Sequence, residues 1–426
     1  MYKLLAEKLY NVEDERIITK RGTYWNLISS LLNSAMTAII MFFITLTSDV
    51  SVNGWFSIAT AVAYQCQAIG FFGIRNLHIA DTNKEYAFSD YAYFNIISSI
   101  LMVFVLSVLS FGQSYVLEKA CLIFIYGIYR GVDIFEALFH DEYQREGRLD
   151  LGVILQTIRF AVSLIVLIIV LLIFGNLIFA TLAATLVSVL LIIIQNKPFI
   201  KYFPCKLKKI KTINLKKLFV ICLPIFIAGF INMYLANAPK YAIDGTLSDE
   251  LQGIFGILSL PIFTINLLST VIYKPYISKM ATYWYTHNFS AFKKVIFRQI
   301  LIIVLLTFSI VTFGYLAGLR LLELIYGISL YDYMSTFILL LIGGGINTLG
   351  AFLNFIMVIF REQNKNMYIY ILSGVITYVL GGILIEHFNL LGSGMIYILS
   401  SGIVTCLCCL VLFMKYHSVR RKITYA

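Results

Sequence analysis

The sequence predicts an all-α polytopic membrane protein, and three observations carry that prediction. Of the 426 residues, 60% are hydrophobic and only 13% are charged. About twelve apolar stretches have the length of about 20 residues that an α-helix needs to cross a bilayer. The Lys and Arg residues alternate from one side of these stretches to the other. A soluble fold is therefore excluded.

The predicted transmembrane helices follow the apolar stretches, with each end placed to about three residues. They cover residues 23–46, 55–73, 90–112, 118–139, 150–173, 177–196, 215–236, 252–276, 295–317, 333–357, 367–386 and 392–414. The cysteines lie almost wholly within these spans, so Cys406 and Cys409 are interpreted as small apolar residues rather than as a redox pair.

The basic residues set the orientation of the spans. With the N-terminus inside, 27 of the 33 Lys and Arg fall on the inner side, where an excess of positive charge is expected. Three of the others lie on the outer side, namely Lys119, Lys240 and Arg320. The last three lie within spans, namely Arg130, Arg159 and Lys274. Both termini are therefore predicted to be cytoplasmic, and the net charge of +11 implies no nucleic-acid partner.

A lysine-rich inner segment divides the spans into six and six. Two G-x-F-x-I sequences, which start at Gly54 and Gly253, open the second and eighth spans and indicate an internal parallel repeat. The predicted organisation begins with an uncleaved amphipathic cytoplasmic segment (1–22) and a six-helix bundle (23–196). A linker that contacts anionic lipids (197–214) leads to a second six-helix bundle (215–414) and a basic cytoplasmic tail (415–426).

Two arginines are the first candidates for function, because ionisable groups at membrane depth are costly and face a bundle interior or a wet cavity. Arg130 and Arg159 lie at matching depths on the fourth and fifth spans, where two guanidiniums would suit a phosphate. The alternative is a structural ion pair between Arg130 and Asp133, three residues apart on one helix face, in a row that Glu136 continues. Arg159 has no acidic neighbour within one turn, so it is the first choice for a substrate role.

Further candidates lie at the ends of spans. Pro239 is expected to break the seventh span next to Lys240 and Asp244, although an ordinary outer loop with a surface ion pair is the simpler interpretation. Lys274, near the inner end of the eighth span, is expected to reach the interface. The inner loops 75–81 and 141–150 are rich in paired charges, which is typical of solvated salt bridges and also of cytoplasmic gates.

Nothing in the sequence indicates catalysis. It contains no G-x-x-x-x-G-K-[ST] nucleotide-binding loop, it indicates no cofactor or metal site, and its five His residues are scattered through loops. A membrane-embedded glycosyltransferase or polymerase, which needs catalytic carboxylates or His on one aqueous side, is therefore the least favoured class.

Three segments resemble the Wzx-type polysaccharide flippases, which belong to the multidrug/oligosaccharidyl-lipid/polysaccharide exporter superfamily. They are residues 73–76 with Asp81 and residues 86–91, residues 140–150 followed by Arg159, and residues 237–244, which begin Asn-Ala-Pro-Lys-Tyr and are followed by Gly253-Ile254-Phe255. The order and spacing of these segments match the family over about residues 20–415. The nearest branch is the one that includes teichoic-acid flippases.

The resemblance implies two six-helix bundles that open alternately to the two sides of a bacterial plasma membrane. It implies transport, without enzymatic activity, of a polyprenyl-diphosphate-linked oligosaccharide from the inner to the outer leaflet, with membrane lipids and glycan polymerase or transferase machinery as partners. The expected substrate-binding residues are Arg159, Arg130, Lys240 and Arg75. The expected residues for gating, or for coupling to H⁺ or Na⁺, are Asp133, Asp244, Asp81 and Lys274.

A multidrug or cation exporter of the same fold is the alternative within this superfamily. Such an exporter would need a cavity of net acidic character, so the sign of the cavity-facing charges separates the two functions.

Overall fold

The computed structural model describes residue 10 and residues 14–203, 205, 207, 212–362 and 364–424. Within these ranges the chain is helical and forms no β-strand, which confirms the predicted all-α class. The chain divides into two compact units, Met1–Phe230 and Ile231–Ala426.

The first unit is built from α1 to α7 and the beginning of α8. The helices are α1 (Glu15–Thr47), α2 (Val50–Phe71), α3 (Ile74–Ala80), α4 (Phe88–Phe111), α5 (Leu117–Arg145), α6 (Leu149–Phe174), α7 (Leu177–Asn196) and α8 (Thr212–Ile243). α1 begins at Glu15, before the predicted span, because the Asp14 carboxylate accepts a hydrogen bond from the backbone N–H of Arg16 at 2.8 Å and caps the helix. Twelve residues of the predicted amphipathic segment 1–22 and six residues of the lysine-rich linker 197–214 lie outside the described residues.

The second unit holds the end of α8 and seven more helices. These are α9 (Asp249–Ser259), α10 (Ile262–Tyr273), α11 (Ile277–Tyr285), α12 (Phe289–Phe313), α13 (Leu319–Tyr326), α14 (Met334–Ile359) and α15 (Asn364–Thr424). Within α15 the backbone leaves the helical region at Asn389, where φ is 50° and ψ is −135°. This residue separates the predicted eleventh and twelfth spans.

The helices identify a multi-pass membrane protein. Eight helical segments of the described chain are long and apolar enough to cross a bilayer, and a ninth is obtained if α2 and α3, which are bent by 44°, count as one span. The remaining predicted spans fall on α5, which carries many charges, on the broken pair α9 and α10, and on the second half of α15. Twelve spans and cytoplasmic termini stay predictions.

One expectation about proline is wrong. Pro239 does not break α8, which continues to Ile243. A proline lacks one N–H, but a full break within a membrane helix would leave several backbone groups without partners. Helical hydrogen bonding resumes directly after it, since the N–H of Asp244 donates to the carbonyl of Lys240 at 3.1 Å. Pro261, by contrast, lies between α9 and α10.

Candidate functional site

A buried cluster of charged side chains joins α5 to α6. Nε and Nη2 of Arg159 each donate a hydrogen bond of 2.7 Å to the Glu136 carboxylate, and Nη2 also donates to Asp133 at 2.5 Å. The Arg159 side chain is 0% exposed. A guanidinium this deeply buried requires paired carboxylates, and Arg159 finds them on the neighbouring helix rather than on its own.

Arg130 forms the second half of this cluster. Its Nη2 lies 3.1 Å from Asp133 Oδ2, so the predicted ion pair is present. Gln67 of α2 donates to the same carboxylate oxygen and to the backbone carbonyl of Arg130, both at 2.8 Å. The guanidinium also lies 4.8 Å from the centre of the Tyr64 ring and 3.4 Å from Asn33 Oδ1. Asn33 and Tyr64 are partly exposed, so the cluster reaches the surface of the unit on the side of Arg130.

The local sequence explains how α5 and α6 present these groups. Arg130, Asp133 and Glu136 are spaced by three residues and therefore share one face of α5. Gly152 lies two turns before Arg159 on α6, and a Cβ atom at this position would overlap the His140 imidazole. The glycine therefore permits the close approach of the two helices that brings Arg159 to Glu136.

We call this group the arginine cluster and define it as Arg130, Asp133, Glu136 and Arg159. Its two positive and two negative charges balance, but two of its hydrogen-bond donors lack acceptors. Nε of Arg130 and Nη1 of Arg159 are buried and have no hydrogen-bond partner among the described residues. Buried donors without acceptors are costly and rare. The oxygen atoms of an oxyanion or of water are the acceptors that these two donors lack.

A second group of ion pairs lies at the C-terminal end of α5. Arg75 Nη2 is 3.0 Å from Asp141 Oδ1. Glu142 is fully buried and lies between Arg145 at 2.7 Å and His78 at 2.8 Å. Salt bridges are thus present at these inner loops. The pairs of Glu142 are buried, whereas the Arg75 side chain is 37% exposed.

Asp81 organises the connection between α3 and α4. Its carboxylate accepts hydrogen bonds from the backbone N–H groups of Glu85 at 2.8 Å and Tyr86 at 3.0 Å, and from the Tyr91 hydroxyl at 2.9 Å. Arg145 Nη1 approaches the same carboxylate to 3.5 Å. The network therefore ties the predicted cytoplasmic end of α5 to the ends of α3 and α4.

The remaining candidates belong to the second unit. Lys240 and Asp244 lie one helical turn apart at the end of α8 and are partly buried. Lys274 is exposed and begins the 3₁₀ turn Lys274–Tyr276. The structure thus joins Arg130, Asp133 and Arg159 in one cluster and places Arg75 and Asp81 at the C-terminal end of α5. Lys240 and Asp244 lie at the end of α8, and Lys274 lies on a separate 3₁₀ turn.

The sequence placed Glu136 in the same i, i+3 row as Arg130 and Asp133 but did not pair it with Arg159. It missed two further partners of the cluster, Gln67 and Asn33, which are neutral and carry little signal. It also missed a polar cavity in the second unit. Among the described residues, no group of three or more His, Cys, Asp or Glu side chains could hold a metal ion.

The whole chain is similar in fold to solved transporters. One is an inward-facing multidrug resistance MATE family transporter of the MOP superfamily, which has a TM-score of 0.64 and 15% sequence identity to this chain. The match covers 99% of this chain and 98% of the transporter. The chain has the MATE transporter fold. A eukaryotic MATE transporter matches 96% of this chain over 99% of its own, with a TM-score of 0.64 and 11% identity.

A third similar structure is a MOP superfamily transporter from Pyrococcus furiosus, described as having a binding pocket of reversed polarity that suggests a different function. The match covers 96% of this chain and 96% of that transporter, with a TM-score of 0.59 and 12% sequence identity. No protein-family model matches the sequence, and no curated protein matches it. The fold is therefore the one that the superfamily resemblance implied, while the branch stays a proposal.

Proposed function

We propose that the protein is an alternating-access transporter that moves a polyprenyl-diphosphate-linked oligosaccharide, such as a teichoic-acid precursor, from the inner to the outer leaflet of a bacterial plasma membrane. The observation that carries this proposal is the arginine cluster, in which two buried guanidiniums each keep one N–H without an acceptor. Such donors, together with the MATE fold, fit a carrier of an anionic head group.

The chemical argument starts from the cost of moving a diphosphate through hydrocarbon. An isolated charge in an apolar medium is strongly disfavoured unless paired and hydrogen-bonded. Guanidiniums match the geometry of phosphate oxygens and stay charged at any physiological pH. Arginines at membrane depth therefore lower the barrier for the head group, while the lipid tail stays in the bilayer.

Arg130 is the group that meets the substrate first in this mechanism. It is held by one carboxylate at 3.1 Å and lies beside the partly exposed Asn33 and Tyr64. Arg159 has three shorter bonds to two carboxylates and anchors α6 to α5. A diphosphate oxygen that enters between Asn33 and Tyr64 accepts from Nε of Arg130 and competes with Asp133 for the guanidinium.

Charge balance links substrate binding to a coupling ion. The cluster holds two guanidiniums and two carboxylates, so an incoming anion adds uncompensated negative charge. A cation, H⁺ or Na⁺, that binds at Asp133 would offset it. Asp133 is therefore the proposed coupling residue, and a cation that binds there together with the head group would be carried in the same direction as the head group.

The other candidate residues are assigned supporting roles in the same proposal. Arg75 and Asp81 stabilise the closed end of α5 through the pairs with Asp141 and Arg145. Lys240 contributes positive charge to the path of the head group in the second unit, with Asp244 and Lys274 as gating groups. Glycan polymerase or transferase machinery would supply or consume the lipid-linked glycan.

Export of cationic compounds is the second candidate function. It is favoured by the similarity to multidrug resistance MATE transporters and by the two carboxylates of the arginine cluster, which would attract a cation if the arginines turned away from them. The pocket of reversed polarity in the Pyrococcus furiosus transporter illustrates that charge sign can differ within this fold.

Reconstituted vesicles separate the two functions. One population is loaded with a short-chain lipid-diphosphate oligosaccharide, whose head group is followed by its accessibility to an added glycosidase. The other is given ethidium, whose uptake is followed by fluorescence. Both are measured under H⁺ and Na⁺ gradients. Head-group movement without ethidium movement supports the flippase, whereas ethidium movement alone contradicts it and supports the exporter.

A further inference from the structure

A neutral polar cavity lies within the second unit and belongs to none of the groups described above. Its volume is about 260 Å³, and it lies between α8, α14 and the two halves of α15. We call it the amide cavity and define it by its main polar side chains, Asn232, Asn347, Asn354, Tyr370, Tyr397 and Ser401. No Asp, Glu, Lys, Arg or His is among the residues that line it.

Part of this polarity is explained by contacts between helices. Asn354 of α14 donates to the Tyr370 hydroxyl at 2.8 Å, and its Oδ1 is 3.5 Å from the Cys408 thiol. Ser401 donates to the carbonyl of Tyr397 at 2.5 Å, which leaves the lone pairs of its oxygen free to accept. These bonds fix α14 against both halves of α15.

The other two amides are not explained in this way. Asn232 and Asn347 line the cavity, and their side-chain amides make no hydrogen bond with the part of the chain that the structure describes. Carboxamides on otherwise apolar membrane helices are unfavourable without partners. Asn347 is partly buried and Asn232 is exposed at the edge of the cavity, so both can meet a ligand that enters from the side of α8.

Small residues keep the cavity open. Ala351 and Ala236 line it, and a Cβ at Gly350 would lie 2.8 Å from Thr405 Oγ1. The volume is just below the lower end of the range of about 300–1,000 Å³ that small-molecule sites occupy. One sugar ring fits such a space, and an oligosaccharide does not.

The lining selects the class of ligand. An inorganic cation would be expected to require carboxylates, since oxygen-rich sites for hard cations are built mainly from them, and an apolar molecule would bury the amides without partners. Amides donate and accept at once, which matches neighbouring hydroxyl groups of a sugar. We propose that the amide cavity binds one uncharged sugar residue, with Asn347 and Asn354 as its hydrogen-bonding groups.

This inference rests on the proposed function for the origin of the sugar, which would be one residue of the transported glycan. It is tested without transport. The full-length protein is placed in lipid nanodiscs, and saturation-transfer NMR is recorded with free glucose, N-acetylglucosamine and N-acetylmannosamine as probes. Sugar binding and head-group translocation can therefore fail independently of each other.

Two variants change the cavity in different ways, and a third serves as a control. Asn347→Leu removes an amide that has no partner to lose, and Ala351→Leu fills the space without removing a polar group. Asn364→Leu makes the same amide-to-Leu change at an exposed position at the start of α15. Removal of one ligand hydrogen bond should weaken binding about fivefold to tenfold, and filling the cavity should abolish it.

The outcomes decide the inference in either direction. Transfer to at least one sugar that falls in Asn347→Leu, disappears in Ala351→Leu and persists in Asn364→Leu supports it. Absence of transfer to all three sugars overturns it, as does transfer that survives both cavity variants. A melting temperature that rises with Na⁺ in the wild type but not in Asn347→Leu, without any effect of sugar, also overturns it and identifies a cation site. Translocation without sugar binding would remove this inference and keep the proposed function.

Discussion

Arg159 on α6 donates two hydrogen bonds of 2.7 Å to the carboxylate of Glu136 on α5, although 23 residues separate them in the chain. This bidentate pair is buried among helices of the first unit. It links the helix that carries most of the candidate site directly to its neighbour. The consequences for stability can therefore be separated from those for transport.

Loss of the Arg159 guanidinium should destabilise the protein more than loss of the whole pair. Arg159→Gln leaves the buried Glu136 carboxylate without its main partner, and breaking a buried pair in this way costs about 3–5 kcal/mol. Arg159→Gln combined with Glu136→Gln removes both charges and should recover most of that loss. The measurement is the melting temperature in detergent, followed by the fraction of monodisperse protein on size exclusion.

Arg320→Gln is the matched control for this pair of variants, because Arg320 is exposed, and it should change the melting temperature little. Equal melting temperatures for the wild type and Arg159→Gln would show that the ion pair does not hold α5 to α6.

The crossing of α5 and α6 should be sensitive to one methyl group. Gly152→Ala places a Cβ where the His140 ring lies, so the two helices must separate or the imidazole must move. Overpacking of this kind costs about 1–3 kcal/mol. The expected result is a lower melting temperature for Gly152→Ala. The double variant, Gly152→Ala with His140→Ala, should recover part of that drop. If His140→Ala does not rescue Gly152→Ala, the contact with His140 is not the cause.

The sequence predicted the arginines but not the whole of their surroundings, and the reason is geometric. Arg130 and Asp133 could be paired because an i, i+3 spacing places them on one helix face. The pairing of Arg159 with Glu136 depends on how α5 and α6 cross, which a spacing along one helix does not encode. The first choice of Arg159 as a substrate group rested on its lack of a local partner, and that partner lies one helix away.

Neutral polar residues were harder to predict than charged ones. A buried charge is so costly that each one in an apolar span demands a partner, whereas an amide can be accommodated by a single contact. The amide cavity collects side chains from α8, α14 and α15 that are more than 100 residues apart, such as Asn232 and Asn347. Only the packing of the second unit brings them together.

The loop between α14 and α15 should contribute stability that depends on pH. Hydrogen bonds from Lys415, at 2.6 Å, and from Lys365, at 2.9 Å, lower the pKa of the Glu362 carboxyl below its usual 4.5. Because the pKa of Glu362 is lowered in the folded state, its ionised carboxylate stabilises the protein above pH 4.5. This stabilisation is lost as the pH falls through the lowered pKa. Melting curves of the wild type and Glu362→Gln should therefore differ at pH 7, and the difference should shrink as the pH falls below 4.5.

This difference should also shrink in high salt, because the three side chains are not deeply buried. A constant gap between the two melting temperatures from pH 7 to pH 3 would contradict the assignment of the pair.

The bend inside α15 should prefer glycine. Asn389 has a φ of 50° and a ψ of −135°, a backbone region that glycine adopts without strain and that costs other residues about 1–3 kcal/mol. Asn389→Gly should keep or raise the melting temperature, and Asn389→Val should lower it, since a β-branched residue tolerates a positive φ least. The reverse order of the two variants would show that the break at this residue is absent in the membrane.

The central claim is that the arginine cluster receives the phosphate groups of a lipid-linked glycan, and Arg130→Gln tests it most directly. In this variant Asp133 keeps Arg159 and Gln67 as partners, so the fold should persist, and the melting temperature is measured alongside transport to separate a loss of function from a loss of folding. A hydrogen bond to a charged group is worth about 1.5–3 kcal/mol, so translocation of the lipid-diphosphate oligosaccharide in vesicles should fall about tenfold or more. Arg320→Gln should transport normally. Translocation by Arg130→Gln at the wild-type rate would contradict the account.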